Sequence, residues 1–146
     1  MKKFIINILF VSVFFVLSGC SLLEETNDTL NYVTGATEYI NELSNFAEET
    51  TGLVSEAANN PEAKAELESK LTSLEDSITA FNSINVPAIA EGLHENIQDI
   101  NLQLLDTINN VSQNGEVVVE QLQESQIFQI IENITNLMNQ VEQLGF

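Results

Sequence analysis

Cys20 is the single cysteine of this 146-residue chain, and its surroundings indicate covalent modification. Two small residues come directly before it, and two lysines followed by an apolar stretch over residues 4–17 lie upstream. A basic start, a short apolar segment and small residues at the cleavage point are the three parts of a secretory signal peptide. The sequence therefore predicts that residues 1–19 are removed and that Cys20 becomes the first residue.

The four residues Leu17, Ser18, Gly19 and Cys20 resemble the lipobox of bacterial lipoproteins. The resemblance implies that the Cys20 thiol is alkylated with diacylglycerol and that the chain is cut just before it. Two acyl chains attach a protein stably to a membrane, whereas one chain does so only marginally. A retained membrane-spanning helix is the weaker alternative, because it needs about 20 apolar residues and residues 4–17 are too few.

His94 is the only histidine. A zinc site needs several His or Cys ligands, and a nucleophile paired with histidine needs a third, orienting group. The sequence has no G-x-S-x-G motif that would supply a nucleophile. We therefore expect a solvent-exposed histidine, with a catalytic or pH-sensing role as the alternative, and we identify no catalytic residue.

Acidic residues are abundant, and three of them, Glu91, Glu95 and Asp99, follow one another at four-residue steps. Such a ladder could hold a hard cation, but the chain lacks the Asp/Asn-rich loop with a central glycine that binds calcium. Like charges at this spacing are also typical of a solvated helix face. The solvated face is the favoured interpretation, and we predict neither a metal nor a cofactor.

The chain that remains after residue 19 is strongly acidic. Only Lys64 and Lys70 oppose its 22 acidic residues, which leaves a formal charge of −20. Nucleic-acid binding depends on basic residues that neutralise phosphates, so we expect no nucleic-acid partner. An anionic membrane would repel this domain, so we expect the lipid to hold a body that stands away from the surface.

Helical periodicity dominates residues 24–146. A first helix is predicted over about 24–53, with Thr51-Gly52 as its end or as a kink. Its apolar face repeats at three- and four-residue steps: Leu30, Val33, Ala36, Ile40, Leu43 and Ala47. A second helix is expected to begin at Pro61 after a capping Asn60. Its apolar seam has four-three-four-three spacing: Leu67, Leu71, Leu74, Ile78 and Phe81.

A third helix is predicted from about Ile89 to Val111, ended by Asn114-Gly115. Its apolar stripe begins at Ile89 and continues with Leu93, Ile97, Ile100, Leu104, Ile108 and Val111. The β-branched run Val117–Val119 has no second strand signal to pair with, so we expect a short helix or turn there. One final helix, capped by Ser125, is predicted to reach Leu144. Four amphipathic helices with short connections predict an all-α, up-down antiparallel four-helix bundle.

The final predicted helix carries neutral amides at four-three-four-three spacing beside its apolar face: Gln129, Asn133, Asn136, Gln140 and Gln143. Amides both donate and accept hydrogen bonds, so this stripe is a candidate face for a protein partner. The plainer interpretation, that neutral amides only limit repulsion within an acidic bundle, is the favoured one.

The Met1-Lys2-Lys3 start, the Leu17–Cys20 box and an Asn/Ile/Glu-rich helical body resemble small lipoproteins of Gram-positive bacilli. The segments 21–33 and 137–140 share this likeness. The resemblance implies attachment to the outer face of the cytoplasmic membrane and brings no catalytic residues.

We therefore divide the chain into a signal peptide over residues 1–19, a lipidated tether over 20–27 and a helical domain over 28–146. We expect a lipid-anchored, non-enzymatic module that binds another cell-envelope protein. A lipoprotein that binds a small ligand or a divalent cation is the alternative.

Overall fold

The computed structural model describes residues 19–113 and 116–145, and most of them are helical. The predicted all-α class is confirmed. Most of the predicted signal peptide, including Leu17 and Ser18, lies outside the described residues.

Helix α1, Gly19–Ala57, runs for 39 residues. It continues through Thr51-Gly52, where the sequence had suggested a stop or a kink, because packing continues as far as Ala57. Its buried face repeats in steps of three and four residues: Tyr32, Ala36, Tyr39, Leu43, Phe46, Thr50, Val54 and Ala57.

The start of α1 differs from expectation in two ways. Residues 20–27, predicted as a tether, are helical. Leu30, predicted on the buried face, is 50% exposed. The buried face is centred on Tyr32, and two residues rotate a helix position by about 200°, which turns Leu30 towards solvent.

Helix α2, Pro61–Asn82, forms as predicted. The Asn60 side chain accepts hydrogen bonds from the backbone N–H groups of Glu62 at 3.0 Å and Ala63 at 3.4 Å. All five members of the predicted apolar seam are buried, and Ala63 joins them. The Asn60 cap and the seam are therefore confirmed.

A short 3₁₀ helix, Ala88–Ala90, leads into helix α3, Glu91–Val111. Ile89 is 64% exposed, so the prediction that it begins the buried stripe is wrong. Ala90 takes its place. From there the buried positions follow strict four-three spacing: His94, Ile97, Asn101, Leu104, Ile108 and Val111.

A small antiparallel hairpin follows α3, with strands β1, Ser112–Gln113, and β2, Glu116–Val117. Ser112 pairs with Val117. Val117 therefore has a strand partner, contrary to the prediction, whereas Val119 begins a short helix, as predicted. The β1 partner is only two residues long, which is too short to show an alternating pattern.

The last segment is divided, not continuous. It contains helices α4, Val119–Glu124, α5, Ile127–Thr135, and α6, Met138–Leu144. The single final helix predicted from the sequence was therefore wrong. Gln126 occupies the N-cap of α5 without a side-chain hydrogen bond, and the predicted cap, Ser125, accepts only a long bond of 3.5 Å from the Ile127 N–H.

The turn between α5 and α6 has a local cause. The Thr135 hydroxyl donates to the Glu132 carbonyl at 2.9 Å, and the Leu137 N–H bonds to the Ile134 carbonyl, three residues back, also at 2.9 Å. Hydroxyl side chains that bond to nearby backbone compete with regular helix formation. The apolar period survives the turn, since Val141 is buried like Ile134.

Helices α1 and α2 run antiparallel. Tyr39 stacks on Phe81 with ring centroids 4.4 Å apart, and Glu49 forms an ion pair with Lys70 at 2.6 Å. Later residues of α1 thus contact earlier residues of α2, which is the pattern of two antiparallel helices. These contacts close one side of the core.

Helices α1 and α3 run parallel. Tyr32 contacts His94 and Tyr39 contacts Asn101, two pairs each separated by 62 positions. At the other side of α1, the Gln123 amide reaches the carbonyl of Val54. The described helices share one hydrophobic core, to which α4, α5 and α6 also contribute.

Candidate functional site

The predicted lipidation residue lies at the very start of α1. Cys20 is the second residue of that helix, directly after Gly19. Any group attached to Cys20 is therefore joined to the helical domain by continuous helix. Among the residues that the structure describes, no helix is long and apolar enough to cross a membrane. Lipidation of Cys20 stays a prediction.

The five amides of the predicted partner face all lie at the surface. Gln129 and Asn133 belong to α5, Asn136 caps its end, and Gln140 and Gln143 belong to α6. Each is exposed. The stripe therefore crosses a turn between two short helices, whereas the sequence had predicted one continuous helix.

The amide stripe differs from other amides of the chain in its bonding. Gln98, Gln103 and Asn109 each donate a side-chain hydrogen bond to a backbone carbonyl. None of the five stripe amides makes a side-chain hydrogen bond within residues 19–113 and 116–145. Their donors and acceptors are satisfied by water in the free protein, so a partner could replace that water.

His94 is buried, with 4% of its surface exposed, so the prediction of a solvent-exposed histidine was wrong. Its Nδ1 lies 3.5 Å from the Tyr32 hydroxyl. The ring lies edge-on to Tyr32, with centroids 5.7 Å apart, and 4.9 Å from the ring of Phe81. Three helices thus meet at this imidazole.

Burial governs the acid–base behaviour of this cluster. Desolvation lowers the pKa of His94, because a charged imidazolium is unfavourable among aromatic rings. Desolvation likewise raises the pKa of Tyr32 to about 12. Both side chains are therefore neutral at pH 7. His94 acts in the core through its hydrogen bond and its ring contacts, and not through a charge.

A second polar contact lies two helical turns further along the same helices. The Tyr39 hydroxyl donates to Oδ1 of Asn101 at 2.5 Å, and Nδ2 of Asn101 donates to Oδ1 of Asn82 at 2.9 Å. Burial raises the pKa of Tyr39, so its hydroxyl stays protonated and can donate. The chain of bonds joins α1, α3 and α2.

Sequence reasoning missed both buried polar residues of α3, although a signal was present. His94 and Asn101 stand in four-three register with Ile97 and Leu104. The predicted apolar stripe began at Ile89, which is exposed, and this starting point excluded positions 94 and 101 from the predicted core. A test of register, independent of residue type, would have placed both polar side chains in the core.

The acidic ladder of α3 is a surface feature. Glu91, Glu95 and Asp99 are all exposed. Within the described part of the chain, no group of three or more His, Cys, Asp or Glu side chains is arranged to hold a metal ion. The solvated-face interpretation fits these positions.

Both lysines that follow Cys20 are engaged in ion pairs. Lys64 lies 3.2 Å from Glu116 and 3.7 Å from Glu68, and Lys70 bonds Glu49. The Lys70 pair raises the pKa of that lysine through its hydrogen bond to Glu49. Most of the acidic residues therefore have no cationic side chain beside them.

A surface cavity of about 330 Å³ lies between α1 and α2. Glu42 and Glu49 line it from α1, and Lys70, Ser73 and Ser77 line it from α2. Its polar rim and the buried Phe46 and Leu74 beneath it could accept a small molecule or a cation.

A family model described as a family of unknown function, DUF6376, matches residues 32–144. The chain is 35% identical over 130 residues to the uncharacterized lipoprotein YybP of Bacillus subtilis strain 168, an alignment that covers 87% of this chain and 88% of that protein. No solved structure matches the chain. The relative confirms the predicted resemblance to small lipoproteins of Gram-positive bacilli.

Proposed function

This chain belongs to DUF6376, a family of unknown function, and from that premise we propose that it is a lipid-anchored, non-enzymatic module that binds another cell-envelope protein. Cys20 carries the lipid in this proposal, after cleavage behind Gly19. The lipoprotein name of the Bacillus subtilis relative supports membrane attachment. The outer face of the cytoplasmic membrane follows from the signal peptide layout.

The exposed amide stripe is the observation that carries the binding proposal. Five amides without side-chain partners in the described chain lie along one surface of α5 and α6, backed by the buried Ile130, Ile134 and Val141. A rigid apolar backing holds polar groups in place, which lowers the entropy cost of binding. The antiparallel α1–α2 pair and the parallel α1–α3 pair support the up-down bundle as its scaffold.

Membrane attachment is tested with the change Cys20→Ala. We expect the wild-type chain to be found in the membrane fraction with a lipid label and the variant to lose both. Cys20→Ala protein that remained membrane-bound without label would contradict the anchor.

Partner binding is tested by photo-crosslinking and affinity capture from solubilised membranes with the lipidated chain. A stripe variant carries Gln129→Ala, Asn133→Ala and Gln140→Ala. A matched control carries Ala at three other exposed amides, Asn41, Asn96 and Gln121. We expect one partner to be captured by wild type and control and lost with the stripe variant. Equal capture by all three proteins would overturn the stripe as the binding face.

The cavity between α1 and α2 favours the second candidate, a lipoprotein that binds a small ligand or divalent cation. A ligand of the folded state raises the melting temperature by mass action. Calorimetry with calcium and magnesium, together with a thermal-shift screen, tests this. The change Glu49→Gln should abolish any shift that arises at this cavity, and an unaltered shift would place the ligand elsewhere.

A further inference from the structure

Among the side chains whose exposure the structure describes, three large apolar ones are strongly exposed, and two of these lie together at the end of the domain that carries Cys20. They are Leu30, 50% exposed, and Ile89, 64% exposed. Both line one surface cavity of about 300 Å³, whose wall is completed by Leu144 and Gly145 and by three polar residues of α1, Glu25, Thr26 and Thr29. The third, Leu102, lies elsewhere on α3.

This apolar patch, formed by Leu30, Ile89 and Leu144, is assembled from three distant parts of the chain. Leu30 comes from α1, Ile89 from the 3₁₀ helix and Leu144 from the end of α6. A β-carbon built on Gly145 would lie 3.8 Å from the Val33 side chain, which shows how closely the end of the chain packs on α1. The patch is therefore formed by the folded domain as a whole and does not consist of a single exposed side chain.

The patch is joined to the predicted lipid on Cys20 by a continuous stretch of helix. Ten residues of uninterrupted α1 separate Cys20 from Leu30, a rise of about 15 Å. The headgroup layer of one leaflet is only about 5 to 8 Å thick. If α1 stood upright from the membrane, the patch would lie in water. A strongly tilted α1 would bring the patch into the interface.

We propose that this end of the domain rests on the membrane, with the apolar patch of Leu30, Ile89 and Leu144 in contact with the lipid interface. The inference rests on the proposed lipid at Cys20. Exposed apolar side chains favour the interface over water, whereas carboxylates are repelled by anionic headgroups. Glu25, which lines the same cavity, therefore keeps its carboxylate in water beside the contact, and the other acidic residues hold the rest of the surface away. Contact is thus confined to this end, and the domain leans on the membrane where the sequence alone had predicted that it stands away.

A single tryptophan can report this contact, because the chain contains none. The test variant is Ile89→Trp in the full-length, lipidated chain. The matched control is Leu102→Trp, since Leu102 is 62% exposed, close to the 64% of Ile89. Because α3 runs parallel to α1, Leu102 lies about 20 Å farther from the anchored end than Ile89.

Both proteins are reconstituted into phosphatidylcholine vesicles whose acyl chains carry bromine, a quencher that acts at short range. We expect Ile89→Trp to show a blue shift of emission and a loss of intensity relative to unbrominated vesicles. Leu102→Trp should keep the emission of a water-exposed tryptophan. Equal quenching of both positions, or of neither, would overturn the proposed contact.

Flotation of the same vesicles separates this inference from the proposed function. Protein that floats with the vesicles but leaves Ile89→Trp unquenched retains the anchor and refutes the contact. Protein that carries no lipid and does not float refutes both. A second variant, Leu30→Ser with Ile89→Trp, should keep flotation and reduce the quenching, because the patch loses part of its apolar surface.

Discussion

The hydroxyl of Tyr32 lies 3.5 Å from Nδ1 of His94, and together the two side chains link α1 to α3 inside the core. Seven positions further along both helices, Tyr39 and Asn101 repeat the arrangement. In both layers a tyrosine on α1 faces a polar side chain on α3. These contacts fix the relative register of two parallel helices that a purely apolar seam would hold less specifically.

Acidification should destabilise the protein through His94. The pKa of this imidazole is lowered in the folded state, so the unfolded chain binds the proton first as the pH falls below about 6.5. Stability is therefore complete above that pH and is lost as the pH falls towards the lowered pKa, with a slope of up to about 1.4 kcal/mol per pH unit.

Urea unfolding between pH 7.5 and 5 measures this loss, above the range where ordinary carboxylates titrate. The variant His94→Leu keeps the site filled and should remove most of the slope. A wild-type slope that persists unchanged in His94→Leu would contradict the assignment of the pH dependence to this residue.

Removal of the Tyr39 hydroxyl should cost more stability than removal of the Tyr32 hydroxyl. In Tyr39→Phe, Oδ1 of Asn101 remains buried and loses its donor, a cost of about 1 to 3 kcal/mol. In Tyr32→Phe the lost contact is a long one, so a smaller effect is expected. Equal free energies of unfolding for the two variants, from urea denaturation, would argue against a dominant Tyr39–Asn101 bond.

Gly52→Ala should raise the free energy of unfolding by up to about 1 kcal/mol, since glycine is a poor helix former and position 52 lies within α1. A β-carbon there would meet no heavy atom within 4 Å. Gly35→Ala is the companion change, because its β-carbon would lie at an ordinary 3.9 Å from Ile84. Thermal unfolding checks both, and a lower melting temperature for Gly52→Ala would show that α1 is not helical at that point.

Asn60→Ala should destabilise the protein by about 1 kcal/mol, because the backbone N–H groups of Glu62 and Ala63 lose their acceptor. The neighbouring Asn59 is exposed and makes no side-chain hydrogen bond within the described residues. Asn59→Ala therefore serves as the control, with little expected change in the urea midpoint. A similar loss of unfolding free energy in both variants would show that the effect comes from the loop before α2 and not from the Asn60 cap.

Sequence patterns predicted the parts of the fold that depend on local, repeated signals. Asn60-Pro61 and the leucine seam of α2 combine a cap with a strict apolar period, so both were found. His94 and Asn101 were missed because their polarity suggested solvent, while their register placed them in the core. Their burial depends on tyrosines 62 positions earlier, which no local window contains.

The turn after Thr135 was missed for a different reason. The apolar period continues across it from Ile134 to Val141, so periodicity alone indicates one helix. The interruption arises from backbone and hydroxyl bonds within one turn, which leave the period intact. The exposure of the five amides, by contrast, could be predicted, because their four-three repeat lies beside the apolar face and outside it.

Both lysines beyond Cys20 lie within α2 and are paired with glutamates. Proteases that cut after basic residues therefore find only two sites in the chain beyond residue 20, each inside a regular helix that must open before it can be cleaved. A domain displayed outside the cell would gain durability against trypsin-like enzymes from this arrangement. The same scarcity limits amine-directed labelling of the described side chains to Lys64 and Lys70.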